Sequence, residues 1–232
     1  MIRRWFALIP LAGALAGCGV SGPATADDIS RLPDPRLDPP SAQAGEQVAV
    51  FAGGCFWGVE AVFDHVRGVR QAWSGYAGGS ADTATYERVS DGDTGHAESV
   101  KVAYDPRQVS YGQLLKVFFS AAHDPTELNR QGPDVGSQYR SVVFYATPQQ
   151  ERVAKAYIAQ LTAAHAFDAP IVTQVVPLQD FYAAEAYHQN FAAQHPHNAY
   201  IVYNDAPKVA HLKQWLPALY RSATQVVEVQ LH

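Results

Sequence analysis

The chain has 232 residues, 47% hydrophobic and 17% charged, with a formal net charge of −5. That length suffices for one domain with a substantial core, and an acidic balance with no basic block argues against a nucleic-acid partner. Two cysteines, Cys18 and Cys55, are too few for the disulfide framework that staples small secreted domains.

Met1-Ile2-Arg3-Arg4 reads as a basic n-region, and Trp5 to Ala16 as an apolar run too short to span a bilayer comfortably. The run ends in Leu15-Ala16-Gly17-Cys18, which resembles a bacterial lipobox. Residues 1–17 are therefore expected to be a lipoprotein signal peptide, cleaved before Cys18, with lipid on the Cys18 sulfur. The plainer alternative is a secretory signal with an incidental cysteine. The arginine pair leaves the export route, Sec or Tat, open. The expected location is the bacterial cell envelope, lipid-anchored on the periplasmic side. Losing the leader removes Arg3 and Arg4, taking the charge to −7, and removes Met1, the sole methionine. A methionine-free mature chain suits exposure to oxidants, although base composition alone can produce one.

Residues 18–46 are rich in Pro, Gly, Ala, Ser and Asp and poor in large apolar side chains. Such a composition predicts a flexible tether, with the folded domain over 47–205 and a C-terminal helix and tail over 206–232. Within the domain the pattern predicts a strand at 47–53, a helix at 56–67 and a strand at 69–77. A loop rich in Gly and Asp follows to about 95, then a strand at 97–104, a helix at 110–122 and a polar loop at 123–136. Next come a strand at 138–146, a helix at 148–166, a strand at 171–177 and a helix at 181–193. Thr147, Pro148 and Gln150 mark the start of the helix at 148 as a T-x-x-Q capping box. The apolar spacing Val209, Leu212, Trp215, Leu216, Leu219 suggests a last short helix that Pro217 interrupts or ends. The early order β-α-β-β-α-β predicts a ferredoxin-like split core. The fold class is α+β, a two-layer sandwich with a mixed β-sheet.

Cys55 stands in Gly53-Gly54-Cys55-Phe56-Trp57-Gly58, between a strand and a helix. A sulfur at a helix N-terminus faces unpaired N–H groups and the positive end of the dipole, which favours the reactive thiolate. Gly54 permits close approach of backbone and substrate, and Phe56 and Trp57 supply an apolar wall. Most lone cysteines are small buried hydrophobes, but the junction, the glycines and the aromatics favour a nucleophile. Polar segments stand out elsewhere: Thr85-Tyr86-Glu87, Gly95-His96-Ala97-Glu98, His123-Asp124-Pro125-Thr126, Asp134-Val135-Gly136-Ser137-Gln138-Tyr139-Arg140-Ser141, and Tyr187-His188-Gln189 on the helix predicted at 181–193. Taken singly, Glu98 would be a solvated charge, Tyr86 and Tyr139 packing aromatics, and Asp134 a loop cap. The scatter of His96, His123 and His188 lacks metal-ligand spacing, so no metal site is expected.

Gly-Cys-Phe-Trp-Gly, Gly-His-Ala-Glu, His-Asp-Pro-Thr, Asp-x-Gly-x-Gln-Tyr-Arg-Ser and Tyr-His-Gln, in this order, resemble the A-type peptide-methionine sulfoxide reductases over residues 48 to 203. The resemblance implies reduction of the S epimer of methionine sulfoxide, free or in proteins. It implies Cys55 as nucleophile, Glu98 as acid, Tyr86 and Tyr139 as hydroxyl donors to the sulfoxide oxygen, and Asp134 as support. Phe56 and Trp57, with Gly54, would hold the substrate methyl group. These roles suit the chemistry. A sulfoxide oxygen leaves only once protonated, a carboxyl kept neutral by apolar surroundings can protonate it, and phenols can stabilise the developing charge. Cys55 would end as a sulfenic acid.

Many relatives recycle that acid with further cysteines near the C-terminus, whereas residues 204–232 contain none. The expectation is a one-cysteine enzyme with no bound cofactor, resolved by an external thiol: a thioredoxin-like protein, a glutaredoxin or a small thiol. Its partners would be methionine sulfoxide, that reductant and, through the lipid, a membrane; a monomer is expected. The competing classes are a cysteine acyl-transferase or peptidase pairing Cys55 with His96, a thiol peroxidase, and a non-catalytic envelope binding protein.

Overall fold

A computed structural model describes Met1, residues 32–40 and residues 45–222. Residues 2–31, which hold nearly all of the expected signal peptide and Cys18, residues 41–44 and the tail from residue 223 lie outside the described residues. The strands are β1 (Gln47–Ala52), β2 (Val69–Ala77), β3 (Ala97–Tyr104), β4 (Arg130–Gln131), β5 (Asp134–Val135), β6 (Val142–Tyr145), β7 (Gln174–Pro177) and β8 (Phe181–Ala183). The helices are α1 (Phe56–Asp64), α2 (Tyr86–Ser90), α3 (Tyr111–Val117), α4 (Pro148–Ala163), α5 (Phe191–Gln194) and α6 (Ala206–Trp215).

Six strands form one sheet in the order β7-β6-β1-β3-β2-β8, and β4 pairs with β5 in a separate ribbon. The inner four, β6-β1-β3-β2, run antiparallel to one another and carry the split β-α-β topology that the sequence predicts. β7 adds in parallel beside β6 after the α4 crossover, which makes the sheet mixed. β1 alternates: Ala49 and Phe51 enter the main core, while Val50 and Ala52 enter a smaller cluster on the other face with Ala77, Ala97, Val142 and Phe144. In the main core Phe51 stacks on Phe63 of α1 at 5.1 Å and on Phe118 at 5.0 Å. Buried Val59, Val62 and Phe63 fasten α1 to the sheet beneath, so Cys55 is set at the mouth of a rigid β1–α1 joint.

The helix predicted at 110–122 is α3 followed by a π-helical turn, Phe118–Ala122. Ser110 and Gln113 form a complete capping box at its start. The box expected at α4 is only half made: Thr147 accepts from the Gln150 N–H, but the Gln150 carboxamide bonds the Ala146 N–H and the Val48 carbonyl instead.

Four expectations need correction. The helix at 181–193 does not form. Phe181–Ala183 is the edge strand β8 on β2, residues 186–188 make a 3-10 turn that carries Tyr187 and His188, and α5 is only four residues long. The ladder to Gly75–Ala77 takes backbone groups that a helix would have used. The strand at 138–146 shortens to 142–145, because Ser137–Tyr139 turns as a 3-10 helix. Ordered contacts also begin at Leu32 rather than Gln47. Leu32 is buried in the core, Tyr157 Oη donates to the Pro33 carbonyl at 2.9 Å, and Lys116 pairs with Asp34 at 2.8 Å. Asp38 accepts from the Gly112 N–H at 2.9 Å and from Ser110 Oγ, at the N-terminus of α3. Residues 32–40 are thus a strap across α3 and α4 rather than free tether. α6 is likewise part of the domain, with Leu212 and Leu216 in its core. No helix among the described residues is long and apolar enough to cross a membrane.

Candidate active site

Cys55 is the N-cap residue of α1, at φ −51° and ψ 123°, and only 7% exposed. Gly54 precedes it at φ +88°, where a Cβ would lie 2.5 Å from Gln131 Cβ. Any side chain there is therefore excluded twice, by conformation and by space. On the neighbouring strand, Glu98 is 3% exposed and its Oε2 accepts the Phe56 N–H at 3.0 Å. One hydrogen bond thus ties the candidate acid to the residue after the candidate nucleophile. Burial pushes the Glu98 carboxyl up to about 8, with the Asp134 and Asp205 charges adding to it and the Phe56 bond opposing. At neutral pH Glu98 is a neutral acid, its Oε1 left to carry the proton.

The thiol does not follow the expectation from the helix terminus alone. Burial, then the charges of Glu98 and Asp205, push Cys55 well above the usual thiol range; the Trp57 N–H bond and Lys208 only partly oppose them. Resting Cys55 is a thiol, because desolvation outweighs the helix N-terminus.

Tyr86 opens α2, and Tyr139 ends the turn before β6. Both phenols are raised by burial and then by the nearby Glu98 charge, with Cys55 also contributing. Asp134 on β5 accepts a hydrogen bond from Tyr200 Oη. Burial and Cys55 raise Tyr200 as well. The structure brings Cys55, Glu98, Tyr86, Tyr139 and Asp134 into one neighbourhood and adds a third tyrosine, Tyr200, that sequence reasoning missed.

Phe56 and Trp57 lie side by side as an aromatic wall with a backing. Phe56 is buried against Tyr76 and His188, with ring centroids at 5.8 and 5.0 Å. Trp57 stacks on Phe191 at 3.9 Å, meets Tyr200 edge-on at 6.0 Å, and donates Nε1–H to His188 Nδ1 at 3.1 Å. The segment 184–190 braces this wall. Glu185 accepts from the Tyr86 N–H at 2.9 Å and from Tyr76 Oη at 2.9 Å. Gln189 bonds both backbone groups of Ser74, and the Asn190 N–H reaches the Glu60 carboxyl. The positive φ of Asn190, +54°, turns the chain so that this bond can form.

The histidines serve as struts. His96 accepts from the Gly79 N–H at 3.2 Å and donates to the Ser80 carbonyl at 2.9 Å. His123 donates to the Phe118 carbonyl at 3.0 Å and accepts from Ser141 Oγ at 2.7 Å, and burial lowers it to about 4. Both ring nitrogens of His96 and His123 are engaged, so neither is left to act as a base for Cys55. Among the described residues no cluster of His, Cys, Asp or Glu has the arrangement of a metal site.

A thiol at a strand-to-helix joint beside a neutral carboxyl and phenols defines a thiol-dependent oxidoreductase site, and the comparisons make the class particular. A family model described as peptide methionine sulfoxide reductase matches residues 47–218. The chain is 58% identical over 179 residues to peptide methionine sulfoxide reductase MsrA 2 of Mesorhizobium japonicum, covering 77% of this chain and 92% of that one. It is 54% identical over 186 residues to a protein of the same description from Synechocystis, covering 79% and 87%. Among solved structures, methionine sulfoxide reductase A of Corynebacterium diphtheriae superposes with a TM-score of 0.57 at 36% identity, over 67% of this chain and 77% of that one. Reduced Mxr1 of Saccharomyces cerevisiae gives 0.58 at 32% identity, over 70% and 92%. The chain belongs to the peptide methionine sulfoxide reductase family, in its A type. It is an oxidoreductase, a peptide methionine sulfoxide reductase.

Proposed function

We propose that this enzyme reduces the S epimer of methionine sulfoxide, free or in proteins, through a sulfenic acid on Cys55, and repairs oxidised proteins of the cell envelope. The observation that carries the mechanism is the buried, neutral Glu98 hydrogen-bonded to the Phe56 N–H beside Cys55. Glu98 gives its proton to the sulfoxide oxygen as the Cys55 sulfur attacks the substrate sulfur, and it recovers a proton from the thiol. Oxygen passes to Cys55, methionine leaves with the electron pair, and Cys55 is oxidised by two electrons to S–OH. Tyr86 and Tyr139 donate to the oxygen while its charge develops, and Tyr200 holds Asp134 behind them. Phe56 and Trp57 receive the methyl group, which orients the chiral sulfur and selects one epimer.

Cys55 is the free thiol among the described residues, and with Cys18 lipidated no internal partner remains. Two equivalents of an external thiol then return Cys55 to the thiol, releasing water and a disulfide. A thioredoxin-like protein, a glutaredoxin or a small thiol would serve. The lipobox supports a lipid anchor at Cys18 on the periplasmic side. Loss of the protein from the membrane fraction in a Cys18→Ala variant tests that placement, and retention there refutes it.

The test of the reaction is consumption of separated S and R epimers of an N-capped methionine sulfoxide by the mature chain with excess dithiothreitol, beside Cys55→Ser. Loss of the S epimer alone, absent in Cys55→Ser, is the expected result. Loss of neither epimer by folded wild type, or equal loss of both, refutes the proposal.

A further inference from the structure

A buried ion pair next to the nucleophile has no part in the mechanism above. Asp205 ends a π-helical turn, Ile201–Asp205, and is fully buried. Lys208 Nζ binds its Oδ1 at 3.1 Å, and its Oδ2 has no hydrogen-bond partner. The pair rests on the bare backbone of Gly58: a Cβ there would lie 2.0 Å from Asp205 Oδ1 and 2.7 Å from Lys208 Nζ. Gly58 is three residues after Cys55, so the two share a helix face, with Cβ positions ~5–6 Å apart. A buried carboxylate with an orphaned oxygen costs stability, and nothing in the packing requires one at this point. Its place does explain it: seated on Gly58, the pair lies one turn of α1 from Cys55, with the Asp205 carboxylate raising the thiol and the Lys208 ammonium partly opposing it.

We propose that Lys208, seated on Gly58 by Asp205, is a positioning residue that offsets the Asp205 charge and so eases loss of the Cys55 proton. The inference deepens the reductase reading and rests on Cys55 being its nucleophile. The charged and titratable groups facing Cys55 are Glu98 from β3, Tyr86 from α2, Tyr139 from the turn before β6, Tyr200 and Asp205 from the segment before α6, and Lys208 from α6. Lys208 is the cation of that set. Lys208 also lines a groove of about 350 Å³ with His123, Asp124, Asp168 and His211. Thiolate formation puts a second negative charge beside Asp205, and the ammonium one helical turn away offsets it.

The experiment is the rate of Cys55 carboxamidomethylation by iodoacetamide, with no sulfoxide present, from pH 6 to 10. It uses the mature chain, Lys208→Met, Lys208→Arg, Asp205→Asn and the double variant Asp205→Asn/Lys208→Met. Losing the cation should slow alkylation at neutral pH roughly three- to tenfold, the range expected for one pKa unit once the nucleophilicity change is included. Asp205→Asn should speed it, Lys208→Arg should stay near wild type, and the double variant should fall between. A single direction of change in all variants, or pH profiles overlying wild type in proteins with native circular dichroism, would overturn the proposal. The double variant retains no unpaired charge and so remains informative if Lys208→Met fails to fold. Alkylation does not depend on sulfoxide turnover, so this ordering and the reductase activity can fail independently.

Discussion

Glu98→Gln separates the acid from its shape. Gln keeps the carbonyl that accepts the Phe56 N–H and fills the same space, but it cannot ionise. Burial moves the native carboxyl from 4.5 to about 8, which penalises the folded ionised form by at most about 5 kcal/mol, at ~1.4 kcal/mol per pKa unit. The sign follows from the raised value: wild type has its full stability below pH 4.5 and loses the Glu98 part as pH rises to about 8. The variant does not lose it. Urea unfolding followed by circular dichroism should therefore show the difference, variant minus wild type, growing by roughly 2–5 kcal/mol between pH 4.5 and pH 8. Glu60 and Asp64 are also raised, to about 8 and about 7, but both proteins keep them and they cancel. Stability curves that run parallel across this range would refute the assignment of Glu98 as a neutral acid at pH 7. In single-turnover assays the same variant should slow sulfenic acid formation while leaving substrate affinity nearly unchanged, because the proton matters in the transition state.

Trp57→Ala removes the Phe191 stack and the His188 hydrogen bond; KM should rise and the preference for one epimer should narrow, as chiral chromatography of residual substrate would report. Gly58→Ala gains up to ~1 kcal/mol of helix propensity, but overlap with Asp205 and Lys208 should leave the protein ~1–3 kcal/mol less stable in urea and alter Cys55 alkylation. Leu32→Ala should cost ~2–5 kcal/mol, as for a core residue, whereas a free tether would give no change in the unfolding midpoint.

Much of the fold was readable because its strongest signals are local. The strands 69–77 and 97–104 match end to end, since both mix Val, Tyr and Ala with scattered polar residues and are bounded by Gly68 and Gly78 or by His96 and Asp105. The segment 181–193 misled because Phe181, Ala184 and His188 repeat at helical spacing while the edge of β2 recruits Phe181–Ala183 as a strand. Tertiary pairing overrode the local period. In the site, Cys55, Glu98, Tyr86, Tyr139 and Asp134 each sit in a compact motif. Asp205 does not. Followed by Ala206 and Pro207, it looks like an ordinary helix cap, yet its carboxylate makes no cap bond and turns to Lys208 instead. The strap was missed because its contacts are carried by single residues, Leu32, Asp34 and Asp38, within a composition that otherwise reads as disordered.

The strap also sets a working radius. If lipid at Cys18 holds the chain and the domain began at Gln47, the leash would be 29 peptide steps, ~100 Å at full stretch. With Leu32 already seated in the core, 14 steps remain, ~50 Å. The enzyme would then meet its clients in a thin shell above the bilayer, where the local concentration of membrane-bound neighbours is high and that of freely diffusing proteins is not.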